Sequence, residues 1–343
     1  MADMILKKSA LADFIKSLGG SYKVFVPTKE GPEVKFAPAE GEVLLDYQNS
    51  RLSPKDFFFP QSERMFEYSV DTSDEDAFIL KDVAANPEPT LIFGVRPCDA
   101  KAFVVLDKIF KNDQYADTYW FSKREATVLI GLGCQSPCPT CFCTSVGGGP
   151  FHEEGLDVLA YDLGDGLLFK PLTEKGQAAL DKAEGLTRAD DKAVQEGTRL
   201  KEEAETAISS KVETGNIDQK TVLDLFNASF WEEIQERCLN CGVCTFVCPT
   251  CHCFDIQDET AGKIGDRVRN WDTCMSWLFT AHGSGHNPRP DKTSRVRQRF
   301  MHKFKYIPIK RSGDIGCVGC GRCITLCPVN IDVRDVVQKM NAW

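Results

Sequence analysis

No apolar run in this 343-residue chain reaches the roughly 18 residues that a membrane-spanning helix needs. The opening segment MADMILKKSALADFIKSLGG lacks a long apolar stretch and a small-residue cleavage site. It reads as a short amphipathic helix, so no export signal is expected and a cytoplasmic location follows. Excess positive charge is also missing. The formal net charge is -9, which argues against broad nucleic-acid binding. There are no paired carboxylates, no Ser-His-Asp signature and no phosphate loop. VGGGP at 146–150 is glycine-rich but lacks the strand, turn and helix of a nucleotide site. His252 and His286 stand alone and read as packing or hydrogen-bonding residues. No substrate-converting apparatus is visible, which leaves stand-alone catalysis undecided.

What remains is ordinary, with one exception. Hydrophobic residues make up 42% and charged residues 27%, as in a folded globular chain long enough for two or three cores. Cysteine is the exception, with 16 copies. In a chain this long, metal ligation explains them better than disulfides do.

Eight of the cysteines form a pattern written twice. Cys238, Cys241, Cys244 and Cys248 are spaced C-x2-C-x2-C-x3-C before Pro249. Cys317, Cys320, Cys323 and Cys327 repeat that spacing before Pro328. Three thiolates two residues apart let a loop wrap three corners of a [4Fe-4S] cube, and the fourth turns toward a neighbouring cube. Crossed ligation follows: Cys238, Cys241, Cys244 and Cys327 for one cluster, and Cys317, Cys320, Cys323 and Cys248 for the other. Gly242 and Gly321 supply the tight backbone that exposes N–H groups to sulfide. Zinc also accepts four thiolates, but its sites come as separated C-x2-C pairs.

Residues 249–316 separate the two runs. They carry Cys251, Cys253 and Cys274, read as buried structural thiols because eight ligands already complete two cubes. They also carry a basic stretch with Arg295, Arg297, Arg299, Lys303, Lys305 and Lys310. That stretch is a solvated face, a partner-docking surface, or charge compensation beside the clusters.

Upstream, YKVFVPTKEGPEVKFA (22–37) reads as two strands around a turn. The runs TLIFGV and TVLIGL flank a helical stretch from Ala102 to Phe110, a βαβ unit that predicts a mixed or parallel sheet. VLAYDLGDGLLFKPL (158–172) reads as a hairpin. From Thr173 to Glu236 the composition predicts two or three charged, solvent-facing helices, broken at Gly185 and Gly215. The expected layout is an N-terminal α/β domain over 1–172, a helical connector over 173–229, and a two-cluster ferredoxin-like domain over 230–343 with the large insert 249–316. Overall this is an α+β or α/β fold.

Five cysteines remain, Cys98 in RPCD and Cys134, Cys138, Cys141 and Cys143 in GCQSPCPTCFC. Both groups follow apolar runs, at the carboxyl edge where sheet loops converge. Cys98, Cys134, Cys141 and Cys143 are the candidates for a third [4Fe-4S] cluster, with Cys138 spare. Zinc, no metal, or a redox dithiol forming a substrate site are the alternatives.

The motifs GVRPCDAKAF, TCFCTSVGGGP, CPTCHCFDIQD, WDTC and GCVGCGRCITLCPV, in this order, resemble those of one iron–sulfur family, which takes in an anaerobic sulfite reductase component and the sulfhydrogenase beta subunits. The resemblance covers the chain from about residue 90 onward. It implies an iron–sulfur electron-transfer subunit of a cytoplasmic complex in anaerobic metabolism. The partners it implies are a flavin- and NAD(P)-binding subunit and a catalytic redox subunit of sulfite reductase, hydrogenase or heterodisulfide reductase type.

Overall fold

The computed structural model describes residues 1–83, 87–311 and 313–343. The chain opens with strand β1 (Met4–Lys7) and helix α1 (Leu11–Leu18). The predicted N-terminal helix is therefore shorter than expected, because Met4 to Lys7 are drawn into a sheet edge. In α1, Leu11, Phe14, Ile15 and Leu18 form a single buried stripe at helical spacing. Strands β2 (Lys23–Glu30) and β3 (Glu33–Pro38) make the expected hairpin. Then come β4 (Ser62–Ser69), the short β5 (Lys81–Asp82), β6 (Thr90–Val95), helices α2 (Pro97–Ile109) and α3 (Thr118–Ala126), and β7 (Thr127–Leu132). The hairpin of β8 (Val158–Asp162) and β9 (Gly166–Pro171) also forms as predicted.

An eight-stranded mixed sheet is the result. At its centre β2, β6, β7 and β8 run parallel. Strands β6 and β7 are buried along nearly their whole length, which is why they read as unbroken apolar runs and not as alternating patterns. Both leave the sheet at the same edge, into the loops carrying Cys98 and Cys134 to Cys143.

The stretch 173–236 holds four helices and not two or three: α4 (Glu174–Leu180), α5 (Asp191–Ala207), α6 (Val222–Phe226) and α7 (Phe230–Arg237). Between the first two lies the two-residue strand β10 (Thr187–Arg188), paired with β1. These elements are not wholly solvent-facing. Ala179 and Leu180 join the sheet's core, whereas Leu225, Phe230, Trp231 and Ile234 join the core under the cysteine runs.

The remaining elements are α8 (Val243–Phe246), β11 (Phe254–Ala261), β12 (Ile264–Trp271), α9 (Lys292–Met301), α10 (Ile307–Lys310), α11 (Arg322–Thr325) and α12 (Val333–Ala342). A single wide π turn, His302–Tyr306, joins α9 to α10. The insert contributes a hairpin that the sequence reading did not foresee. Strand β12 pairs with β4, so a second, four-stranded sheet stitches the insert to the N-terminal half. Arg269 anchors that seam from a buried position, with ion pairs of 2.5 Å to Glu63 and 2.5 Å to Asp117. No helix among the described residues is long and apolar enough to cross a membrane.

Candidate metal centres

The two cysteine runs fold alike, down to single backbone angles. Asn240 and Gly319, each two residues after a first cysteine, have φ of 61° and 65°. Gly242 and Gly321 follow with φ of 75° and 76°, and each opens a four-residue helix. This left-handed geometry suits Gly and, less well, Asn. It turns backbone N–H groups onto sulfur. Asn240 N–H donates to Cys238 Sγ at 3.3 Å, Gly319 N–H to Cys317 Sγ at 3.5 Å, and Ile331 N–H to Cys327 Sγ at 3.2 Å.

Cys238, Cys241, Cys244 and Cys327 line one cavity. Cys323 of the second run also borders it, so three thiols of one run and two of the other meet here. In the second set Cys248 lies close enough for its charge to bear on Cys317, Cys320 and Cys323. Cys241 is exposed, while Cys248 and Cys320 are buried. The first cage is therefore at the surface and the second is inside.

The donor chemistry fits iron–sulfur cubes. Burial pushes the Cys317 and Cys320 thiols up to about 12, so this packed set resists becoming four bare thiolates. Iron binding supplies the positive charge that deprotonation requires. Arg299 lines the first cavity, is buried, and its Nε has no hydrogen-bond partner among the described residues. An unpaired guanidinium N–H at a thiolate cage is a ready donor to cluster sulfur. No three His, Cys, Asp or Glu donors among the described residues converge on a single ion.

Buried cations surround the second set. Lys303 Nζ donates to Thr250 Oγ1 at 2.8 Å and Gly316 O at 3.2 Å. Burial works against its ammonium, but Cys248, Cys251 and Cys317 outweigh that and hold it above its usual value. Lys55 Nζ donates to Cys251 O at 2.7 Å and Cys248 O at 3.1 Å, with Trp271 beneath it. Arg322 pairs with Asp99 at 2.7 Å, both groups fully enclosed. The basic stretch is thus divided. Arg295, Arg299, Lys303 and Lys305 are buried, which contradicts a uniformly solvated face, and Lys310 is exposed.

The N-terminal cysteines converge as well. Cys98, Cys134, Cys141 and Cys143 line a single cavity whose far wall is Gly319 and Cys320. Cys138 is not part of it. Its thiol faces an adjoining groove, donating to Gln48 Oε1 at 3.2 Å and touching Cys141. Arg96 fixes this edge by donating to Leu132 O at 3.1 Å and Gly133 O at 2.7 Å, tying the ends of β6 and β7 together. Phe142 N–H donates to Gly319 O at 2.9 Å, so this loop rests directly on the second cysteine run.

Sequence reasoning missed Lys55, Asp99, Arg96 and Arg322. Three of these adjoin cysteines in RPCD and CGRC, which is a usable signal; Lys55 offered none.

A 4Fe-4S dicluster domain model matches residues 237–331. Over 96% of its length the chain is 29% identical to sulfhydrogenase 2 subunit beta of Pyrococcus furiosus, covering 95% of that protein. No solved structure matches. Together the two matches support an iron–sulfur, electron-transporting oxidoreductase subunit with two [4Fe-4S] clusters.

Proposed function

Starting from the sulfhydrogenase beta family, which both matches support, we propose that the chain is the iron–sulfur relay of a multi-subunit oxidoreductase in the cytoplasm. Electrons pass between a flavin- and NAD(P)-binding partner and a catalytic redox subunit. Cys238, Cys241, Cys244 and Cys327 hold the first cluster, and Cys317, Cys320, Cys323 and Cys248 hold the second. Cys98, Cys134, Cys141 and Cys143 hold a third. The chain divides at 1–172, 173–229 and 230–343, the middle segment being shared between the two flanking cores.

The observation that carries the reading is the joint cavity wall. The four N-terminal thiols enclose one space, and its other side is the loop of Gly319 and Cys320. When bound, the clusters supply one-electron steps. The chain's own residues offset the thiolate charge (Arg299, Lys303 and Arg322), donate backbone N–H to sulfur, and keep water from the inner set.

The test is an iron and sulfide count on anaerobically purified protein, with a Cys98→Ala variant beside it. About twelve irons per chain, falling to about eight in the variant, is the expected result. About eight in both defeats the third cluster. Zinc without acid-labile sulfide defeats the whole reading.

A further inference from the structure

One set of reactive side chains lies outside the cavities of the first and the N-terminal sets. Cys253 immediately precedes β11 and Cys274 follows β12 by three residues. Phe254 pairs with Trp271 at the base of that hairpin, and Asp272 N–H donates to Cys253 O at 2.9 Å, extending the ladder. The two thiols are thereby brought to the same end of the hairpin, and both line one groove. They open onto a groove shared with His252, His302, Arg289 and Lys310, and no carboxylate among the described residues lines it. Neither thiol lines the cage of the first or the N-terminal set.

We propose that Cys253 and Cys274 form a dithiol–disulfide couple that exchanges with a small anionic disulfide entering this groove. Arg289 and Lys310 give the groove its cationic wall. Cys253 is the attacking thiol, being the more exposed of the two. The neighbouring Cys274 thiol also draws Cys253 below the ordinary thiol value, which raises its thiolate fraction. His252 Nδ1 bonds Thr250 O at 3.0 Å, leaving Nε2 as an acceptor. Burial lowers His252 to about 4, so the ring stays neutral at the groove wall and the thiol protons leave with the released RS⁻.

The exchange balances. Cys253 sulfur attacks one sulfur of RSSR, forming a mixed disulfide and releasing RS⁻. Cys274 sulfur then attacks Cys253 sulfur, closing the internal disulfide and releasing the second RS⁻. The two protein thiol protons end on two RSH molecules; the dithiol is oxidised and RSSR is reduced. No step depends on what the cages contain.

The probes are dithiodiglycolate, a dianionic disulfide, and cystamine, a dicationic one. Each is added anaerobically to the full-length protein, free thiols are trapped by alkylation, and peptides are read by mass spectrometry. We expect a Cys253–Cys274 cross-link, formed roughly tenfold faster with dithiodiglycolate. In Cys274→Ser the reaction stops with thioglycolate on Cys253. In an Arg289→Gln, Lys310→Gln variant the preference between probes disappears. Two thiols that stay alkylatable overturn the couple, and an equal or faster rate with cystamine overturns the anionic class. Loss of iron from a Cys253→Ser, Cys274→Ser variant makes these thiols ligands and overturns the proposal. Because the readout is peptide mass, failure of the cluster assignment leaves a distinguishable result.

Discussion

Gly319→Ala is the sharpest test of how the N-terminal loop sits on the second cysteine run. Gly319 has φ of 65°, and a methyl built there would lie 2.6 Å from Cys143 N and 2.6 Å from Phe142 C. Both are backbone atoms, so no rotamer change relieves the clash. The left-handed backbone alone costs a non-glycine residue about 1–2 kcal/mol. Overpacking against a fixed neighbour adds about 1–3 kcal/mol. The expected loss is therefore about 2–5 kcal/mol. Gly262→Ala separates the two terms, because Gly262 has φ of 64° and nothing within 4 Å of the built methyl. It should lose only the backbone term. The assay is anaerobic guanidinium denaturation, followed by far-ultraviolet dichroism and by the visible absorbance of the clusters. If the two alanine variants lose equal stability, the loops are not in contact as described and the joined cavity falls with them.

Three further outcomes are expected. Arg322→Met should cost about 3–5 kcal/mol by stranding the enclosed Asp99 carboxylate, and adding Asp99→Leu should recover part of it; an additive double variant refutes the pairing. His252 and His302 are depressed, mainly by burial, from 6.5 to about 4 and about 3. The unfolded chain therefore binds more protons, and the stability these rings confer is complete above about pH 6.5 and lost as pH falls toward the folded values. His302→Phe should flatten the denaturation midpoint against pH in that window; an unchanged slope counts against a neutral buried ring. Lys303→Met removes a buried positive charge beside Cys248 and Cys317 and should lower the potential of the second cluster by on the order of tens of millivolts in an EPR-monitored titration. A potential that does not move would mean the ammonium is screened from that cage.

The parts legible in the sequence share a property: their signal is local. β6 and β7 are apolar runs of their own, the cysteine spacing is complete within each run, and Gly242 and Gly321 announce their left-handed turns. The second sheet was invisible for the opposite reason. β4 and β12 pair across more than half of the chain, as in Ile264 with Ser69, and neither strand has an alternation strong enough to stand alone. The basic stretch left three readings open, and its chemistry is why. Arg295, Arg299 and Lys303 recur every four residues and share a face, which is a buried helical stripe in every respect except chemistry. Cationic side chains on such a stripe are ordinarily solvated. Only the thiolates opposite them reverse that, and those thiolates come from other segments of the chain.

The contacts also fix an order for the proposed relay. The N-terminal cavity touches the second cysteine run through Gly319 and Cys320, and no cysteine of the first run lines it. Cys323, assigned by the proposal to the second set, borders the first cavity, and Arg299 reaches both Cys244 and Cys323. The inner set therefore stands between the other two. Lys55, Lys303 and Arg322 are buried around it. The outer end is different: Cys241 is exposed, and Leu239 beside it is 63% exposed. An apolar side chain held in solvent next to a cage is a poor arrangement for a free carrier and a reasonable one for a covered subunit interface. In this order one partner meets the chain near Cys241 and another near the N-terminal edge. In the proposed relay the buried cations would raise the potential of the middle station, through which every electron between the partners would pass.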